Sequence, residues 1–257
     1  MARAPAPHKQ MTMDTSKTVA ASGSSEAGES CWSCGEMRAA SFCKACGKVQ
    51  PPVPVNYFAF FGLPRKLNLD VARLEREFYE LSRKLHPDLN ARADKREQEW
   101  SLEQSSLLND AYRTLKDSIQ RTQYLLRLEG VELEEQSKSA TEQARASGEI
   151  KKQVVPPDLL EEVFDVNMQL EELRLQKKMG EDDPALIEEV GRQKLELEQK
   201  YVAQLDELKG YWNEWDRAFD SGNEAEQRQA RDKMADTLNR RNYIRNLVRI
   251  VEEVLED

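Results

Sequence analysis

Val71-Ala-Arg-Leu74-Glu-Arg-Glu-Phe78-Tyr-Glu-Leu81-Ser-Arg-Lys-Leu85-His86-Pro87-Asp88 is the stretch that decides the fold. Its apolar residues Val71, Leu74, Phe78, Leu81 and Leu85 recur at spacings of 3, 4, 3 and 4, which puts them on one stripe of an α-helix. Asn68 or Asp70 can cap the start, and His86-Pro87 stops the helix. Upstream, Asn56-Tyr57-Phe58-Ala59-Phe60-Phe61-Gly62-Leu63-Pro64 predicts a short aromatic helix ended by Gly62 and Pro64. Downstream, a third helix from about Lys95 carries Leu108, Ala111, Tyr112 and Leu115 on one face. A short fourth segment holds Tyr124, Leu125, Leu126 and Leu128 before Gly130. Two longer helices packed antiparallel across a loop at 86–94 are the expected centre of a domain over 55–130.

The chain is all-α beyond this domain. Residues 131–155 are polar and read as a linker. Over 156–257 three amphipathic segments follow, near 157–179, 184–220 and 223–255, broken at Gly180-Glu-Asp-Asp-Pro184 and at Ser221-Gly222. The second carries Val190, Leu197, Tyr201, Leu205, Leu208, Trp212, Trp215 and Phe219. The third carries Met234, Leu238, Ile244, Leu247, Val251 and Val254. An antiparallel three-helix bundle is the expectation. Within the first, Leu159, Val163, Val166, Leu170 and Leu173 share a narrow core face. Leu160, Phe164 and Met168 form a second stripe elsewhere on the helix, which is either sandwiched by the rest of the chain or left for a partner.

Charge bounds the function. The 257 residues hold 38 Lys plus Arg against 47 Asp plus Glu, a net charge of −9. Residues 131–257 alone hold 19 basic and 31 acidic side chains, while 53–130 are nearly neutral. Duplex nucleic acid and an anionic membrane surface are therefore not expected as partners. No apolar run approaches the roughly 20 residues of a membrane span. With only His8 and His86, metal sites built on several histidines are excluded, and a Ser-His-Asp triad could draw only on His86. In the near-neutral region Arg73, Arg76, Arg83 and Lys84 share the polar side of one helix. Read alone, they are a solvated face laced with Glu75, Glu77 and Glu80.

All four cysteines fall in Cys31-Trp-Ser-Cys34-Gly35 and Cys43-Lys-Ala-Cys46-Gly47, two C-x-x-C turns eight residues apart. Each turn delivers two thiolates to one point, and four thiolates satisfy a tetrahedral zinc. We read 31–50 as a structural zinc knuckle whose metal supplies the folding free energy of a segment too short for a core. The alternatives are two disulfides, a redox couple or an iron–sulfur cluster. A thiol oxidoreductase would be the enzyme reading. Residues 1–30, rich in Ala, Ser, Thr, Gly and Pro, read as a disordered tail with one arginine. That composition favours a bacterial cytoplasm over a mitochondrial matrix.

The aromatic first helix, the basic-faced second, His86-Pro87-Asp88 in the loop and the apolar third together resemble a J-domain. Tyr57-Phe-Ala-Phe-Phe-Gly-Leu-Pro64, Arg83-Lys-Leu-His-Pro-Asp88, Asn109-Asp-Ala-Tyr-Arg-Thr-Leu115 and Gln123-Tyr-Leu-Leu-Arg-Leu-Glu-Gly130 further resemble the HscB family, J-domain co-chaperones of iron–sulfur cluster biogenesis. The cysteine head is similar to that of its zinc-bearing members. The resemblance runs over roughly 31–257, with 131–155 and 175–235 matching only in helical character. It implies that His86, Pro87 and Asp88, with Arg73, Arg76, Arg83 and Lys84, dock on a DnaK- or HscA-type ATPase chaperone and stimulate it. It also implies that Leu160, Phe164, Asp165, Met168 and Tyr243 contact an IscU-type scaffold protein, although Tyr243 reads equally well as a tyrosine at the edge of the core. The chain would then be no enzyme and would hold no cluster itself. Glu161 and Met168 depart from the family, which often has Met at the former position and an acid at the latter. Leu89-Asn90 stands where an aromatic often follows the tripeptide. A J-domain co-chaperone for a different client and a zinc-dependent binding module are the other readings.

Overall fold

A computed structural model describes residues 30–36, 41–133, 155–181 and 183–256. The tail and most of the polar linker read from the sequence lie outside these residues. Residues up to Gln50 and residues from Pro51 form two compact units. Among the described residues there are helices, turns and one isolated β-bridge, Phe42 with Val49. No helix among them is long and apolar enough to cross a membrane.

The larger unit begins with α1 (Tyr57–Phe60), a single turn capped by Asn56, whose side chain accepts the Ala59 N–H. Asp70 caps α2 (Val71–Leu85) by accepting from the Arg73 N–H, and Asp94 caps α3 (Lys95–Lys116) through the Glu97 N–H. α4 (Ser118–Leu128) follows with Asp117 as its cap. α2 and α3 pack side by side on the expected stripe: Leu74, Leu85, Leu108, Ala111 and Leu115 are buried, and the Phe78 and Tyr112 rings stack with centroids 4.1 Å apart. The Tyr112 hydroxyl donates to Glu75. That bond, then the Lys116 charge, holds the Glu75 carboxyl below its usual range. α1 is pinned by Tyr124, whose ring stacks on Tyr57 and whose hydroxyl accepts the Tyr57 N–H at 2.9 Å.

A 3-10 turn (Pro157–Leu159) leads into α5 (Leu160–Met179), and then come α6 (Pro184–Ser221) and α7 (Glu224–Glu256). At 1.5 Å per residue α6 is about 57 Å long and α7 about 50 Å. α5 covers only part of this long hairpin. There Leu159, Val163, Val166, Leu170 and Leu173 meet Val190, Leu197, Ile244, Leu247, Val251 and Val254 in one core. Every apolar residue assigned to the α5 core face is buried.

The other end of the hairpin carries the α1–α4 domain. The Asp216 carboxylate on α6 accepts the backbone N–H groups of Leu67 and Asn68, at 2.7 and 2.9 Å, and the Asn68 side-chain amide at 2.8 Å. Trp215 donates its indole N–H to the Arg65 carbonyl at 2.8 Å, and Lys66 pairs with Asp220. Leu67 is fully buried beside this clamp. Replacing Asp216 by Ala strands the N–H of buried Leu67 and removes two bonds to exposed Asn68, whose amide keeps Asn213 as a partner, so about 1–3 kcal/mol of stability should be lost. Thermal melting should read this as a drop of several degrees. An unchanged midpoint would mean that the clamp adds nothing to the joint.

Candidate functional site

The cysteine unit is built from two equivalent knuckles. Each folds so that the glycine N–H returns to the first cysteine carbonyl, Gly35 to Cys31 at 3.0 Å and Gly47 to Cys43 at 2.9 Å. Both glycines sit at φ near +75°, where a side chain would be strained. Cys31 and Cys43 are buried, while Cys34 and Cys46 face solvent. All four Sγ atoms lie within 4.8 Å of one another, and the pairs Cys31–Cys46 and Cys34–Cys43 are each 3.7 Å apart. A tetrahedron with metal–sulfur bonds of about 2.3 Å has edges of about 3.8 Å, so the four sulfurs fit a single zinc ion. Burial acts to raise the Cys31 pKa, but backbone N–H groups of Cys34 and Ser33 outweigh it and lower it to about 6. For Cys34 the backbone bond at Glu36 lowers the pKa, yet burial and the three neighbouring sulfurs together push it up to about 12. A divalent cation removes that conflict by holding every sulfur as thiolate.

The His-Pro-Asp loop projects from the end of the α2–α3 pair. The His86 and Asp88 side chains are 52% and 89% exposed. His86 Nδ1 accepts the Asp88 backbone N–H at 3.2 Å, which leaves Nε2 to carry the proton of the neutral ring. Leu89 is exposed. Asn90 takes over the anchoring of the loop, its side-chain amide reaching the carbonyls of Lys84 and His86 and the Ser101 hydroxyl at 3.1–3.3 Å. Ser101 and Ser105 both donate to the Leu85 carbonyl at 2.7 Å. Asn90 was not recognisable as an anchor in the sequence, since its partners sit on two helices; only its polarity after the tripeptide was a signal. On α2, Arg73, Arg76, Arg83 and Lys84 are all exposed and share an arc of about 100° opposite the core stripe. Arg73 is tied to Glu77 at 2.9 Å.

On α5, Leu160, Phe164 and Met168 stand exposed at 54%, 63% and 55%. Asp165 beside them is also exposed. Leu175 and Met179, not singled out from the sequence, are exposed too and fall within the same arc of about 100°. The stripe thus runs the length of the helix, opposite its core face. Tyr243 corrects the expectation. It is only 7% exposed within the core of α5, α6 and α7, where its ring fills space beside Ile244, so it cannot face a partner in this conformation.

Comparison with known proteins agrees with this architecture. A DnaJ domain family model matches residues 56–124. The iron–sulfur cluster co-chaperone protein HscB homolog of Arabidopsis thaliana is 40% identical over 113 residues, 44% of this chain and 45% of the relative. Mouse iron–sulfur cluster co-chaperone protein HscB is 38% identical over 122 residues, 45% and 52% of the two chains. A Vibrio cholerae co-chaperone protein HscB homolog is 44% identical over 79 residues, 31% and 46% of the two chains. The matched region spans about half the length of these curated relatives. The crystal structure of human co-chaperone protein HscB superposes with a TM-score of 0.53 at 22% identity, over 88% of this chain and 98% of that one, a likeness of fold. The comparisons place a DnaJ domain, bearing the His86-Pro87-Asp88 loop, at residues 56–124 of this chain, which over about half of their length is similar to HscB co-chaperones of plant, mammal and bacterium and shares the fold of the human protein.

Proposed function

We propose that this protein is a co-chaperone of iron–sulfur cluster assembly that carries an IscU-type scaffold protein to a DnaK- or HscA-type chaperone and stimulates that chaperone's ATPase. The observation that carries the reading is that one compact unit holds two exposed features on different helices. One is the His86-Pro87-Asp88 loop with the basic α2 face; the other is the apolar stripe of α5. The first offers a free carboxylate, Asp88, to an arginine of the chaperone, a charge-assisted pair. Arg76 and Arg83, with Arg73 and Lys84, steer an acidic partner surface toward it. The second offers Leu160, Phe164 and Met168 to an apolar patch on the scaffold, with Asp165 at its edge. The chain performs no chemistry of its own; it brings two partners together and triggers hydrolysis in one of them. We divide it into a knuckle at 31–50, a J-domain at 55–130, a linker at 131–155 and a scaffold-binding bundle at 156–257.

The test is the steady-state ATPase rate of a DnaK-type chaperone with this protein, with and without the scaffold. Stimulation that rises further when scaffold is added is expected. Stimulation indifferent to scaffold would keep the J-domain role and point to another client.

For the knuckle we propose one structural zinc held by Cys31, Cys34, Cys43 and Cys46, a closed four-thiolate site without an open position for chemistry. Elemental analysis of the purified chain should give one zinc per chain. Chelation should make the segment 30–50 sensitive to protease while the helical content of 51–257 stays unchanged. A metal-free chain with no free thiols would replace the zinc by disulfides.

A further inference from the structure

Gln50 is fully buried, in a unit whose described core is little more than Cys31, Cys43 and Val49. Burying a primary amide there is costly unless its polar atoms are used. Its Nε2 is used twice, donating to the Lys48 carbonyl at 2.9 Å and to Cys31 Sγ at 3.3 Å. Its backbone N–H holds it in register by donating to the Ser41 carbonyl at 3.0 Å. The orientation of the amide follows from these partners. The Lys48 carbonyl can only accept, and so can a metal-bound thiolate, so the NH2 end must face both. Cys31 is therefore the sulfur that combines burial, the Ser33 N–H at 3.4 Å and a side-chain donor fixed from the far end of the unit. Trp32, next in sequence, closes the same link by donating its indole N–H to the Val49 carbonyl at 2.7 Å.

We propose that Gln50 is a positioning residue of the metal centre, its side-chain amide donating an N–H···S hydrogen bond that orients the Cys31 thiolate and tempers its electron donation to the metal. The proposal rests on the zinc reading above. Partners of this kind that hold a ligand from outside the coordination sphere typically contribute 10–100-fold to metal affinity. The polar contact also gives a residue at the very end of the unit a specific task, which packing alone would assign to an apolar side chain.

The experiment uses the full chain and three variants, Gln50→Met, Gln50→Glu and Gln50→Asn. Zinc affinity is read by competition with a chromogenic chelator. The thiolate-to-metal charge-transfer band is read after cobalt substitution. Gln50→Met keeps bulk but has no donor. It should weaken zinc about tenfold or more and move the cobalt band to longer wavelength, because a thiolate relieved of a hydrogen bond is a stronger electron donor. Gln50→Glu, which sets a carboxylate against the sulfur, should weaken zinc further. If Gln50→Met takes up no cobalt, the same band shift is expected in Gln50→Asn, whose amide falls one methylene short. A loaded variant with an unshifted band, whether or not its affinity falls, reduces Gln50 to a packing role and overturns the proposal. A wild-type chain that binds no zinc instead overturns the metal reading on which it rests, so the two failures are distinguishable.

Discussion

Replacing His86 by Gln should return the chaperone's ATPase to its unstimulated rate while leaving the affinity for the scaffold intact. The side chain is half exposed and buries no core, so the substitution should change stability by less than about 0.5 kcal/mol. What it removes is local. His86 Nδ1 accepts the Asp88 N–H, and that contact aims a carboxylate that is otherwise almost wholly in solvent. Gln carries its amide at the ε position, so it can keep an Nε2 donor but has no acceptor where Nδ1 stood to receive the Asp88 N–H. Asp88→Asn should have the same effect, because it keeps shape and loses the charge needed for a charge-assisted pair. Arg76→Ala and Arg83→Ala should instead slow association several-fold, with a loss that shrinks as salt rises, the pattern of electrostatic steering. A His86→Gln protein that still stimulates at full rate would remove the tripeptide from the mechanism. A direct measurement of scaffold affinity separates this from damage to the bundle, since a misfolded chain loses scaffold binding as well as stimulation.

What the sequence made legible was whatever depends on neighbours a few residues away. The 3–4 spacing of α2, the α5 core stripe, the two cysteine turns and the exposed tripeptide are all local patterns, and each stands where it was read. The misses are contacts across long separations. Asn68 was a plausible helix cap, but Asp70 does that work, and Asn68 is spent on Asp216, 148 residues away. Gln204 and Arg121 are buried though polar. The Arg121 guanidinium lies on the Leu115 carbonyl, and burial lowers its pKa against the opposing charges of Asp117 and Asp216. Nothing in a periodicity distinguishes such residues from solvated ones. Tyr243 stayed open for the converse reason: an aromatic at a plausible contact position is a core residue once α5 lies over it. Helix α5 itself is the informative case. With apolar residues on two opposite faces its pattern allowed either a sandwiched helix or a half-covered one, and only the position of α6 and α7 decides which.

That decision makes the second large prediction sharp. Leu160→Ala with Phe164→Ala should weaken scaffold binding about 100-fold or more. Apolar anchors at the centre of an interface each cost 2 kcal/mol or more when truncated, and about 1.4 kcal/mol is tenfold in Kd. Because both side chains are more than half exposed, the variant should melt with wild-type behaviour. Val163→Ala and Val166→Ala, one step round the same helix, should behave in the opposite way. They lose buried methyl groups from the core of α5, α6 and α7, so stability falls by about 1–3 kcal/mol with little direct effect on the partner. This reciprocal pair distinguishes a docking stripe from a core face on one helix. Stimulation of the chaperone in the absence of scaffold should survive Leu160→Ala/Phe164→Ala unchanged, because the His86 loop lies on a different element. Leu175→Ala and Met179→Ala then measure how far the footprint extends. A graded loss along the helix would mean that the scaffold lies along its whole outer face, and no loss would confine it to the first turns. An unchanged affinity in the double variant would remove the stripe from scaffold binding altogether, leaving five exposed apolar residues on α5 that need a different partner to account for them.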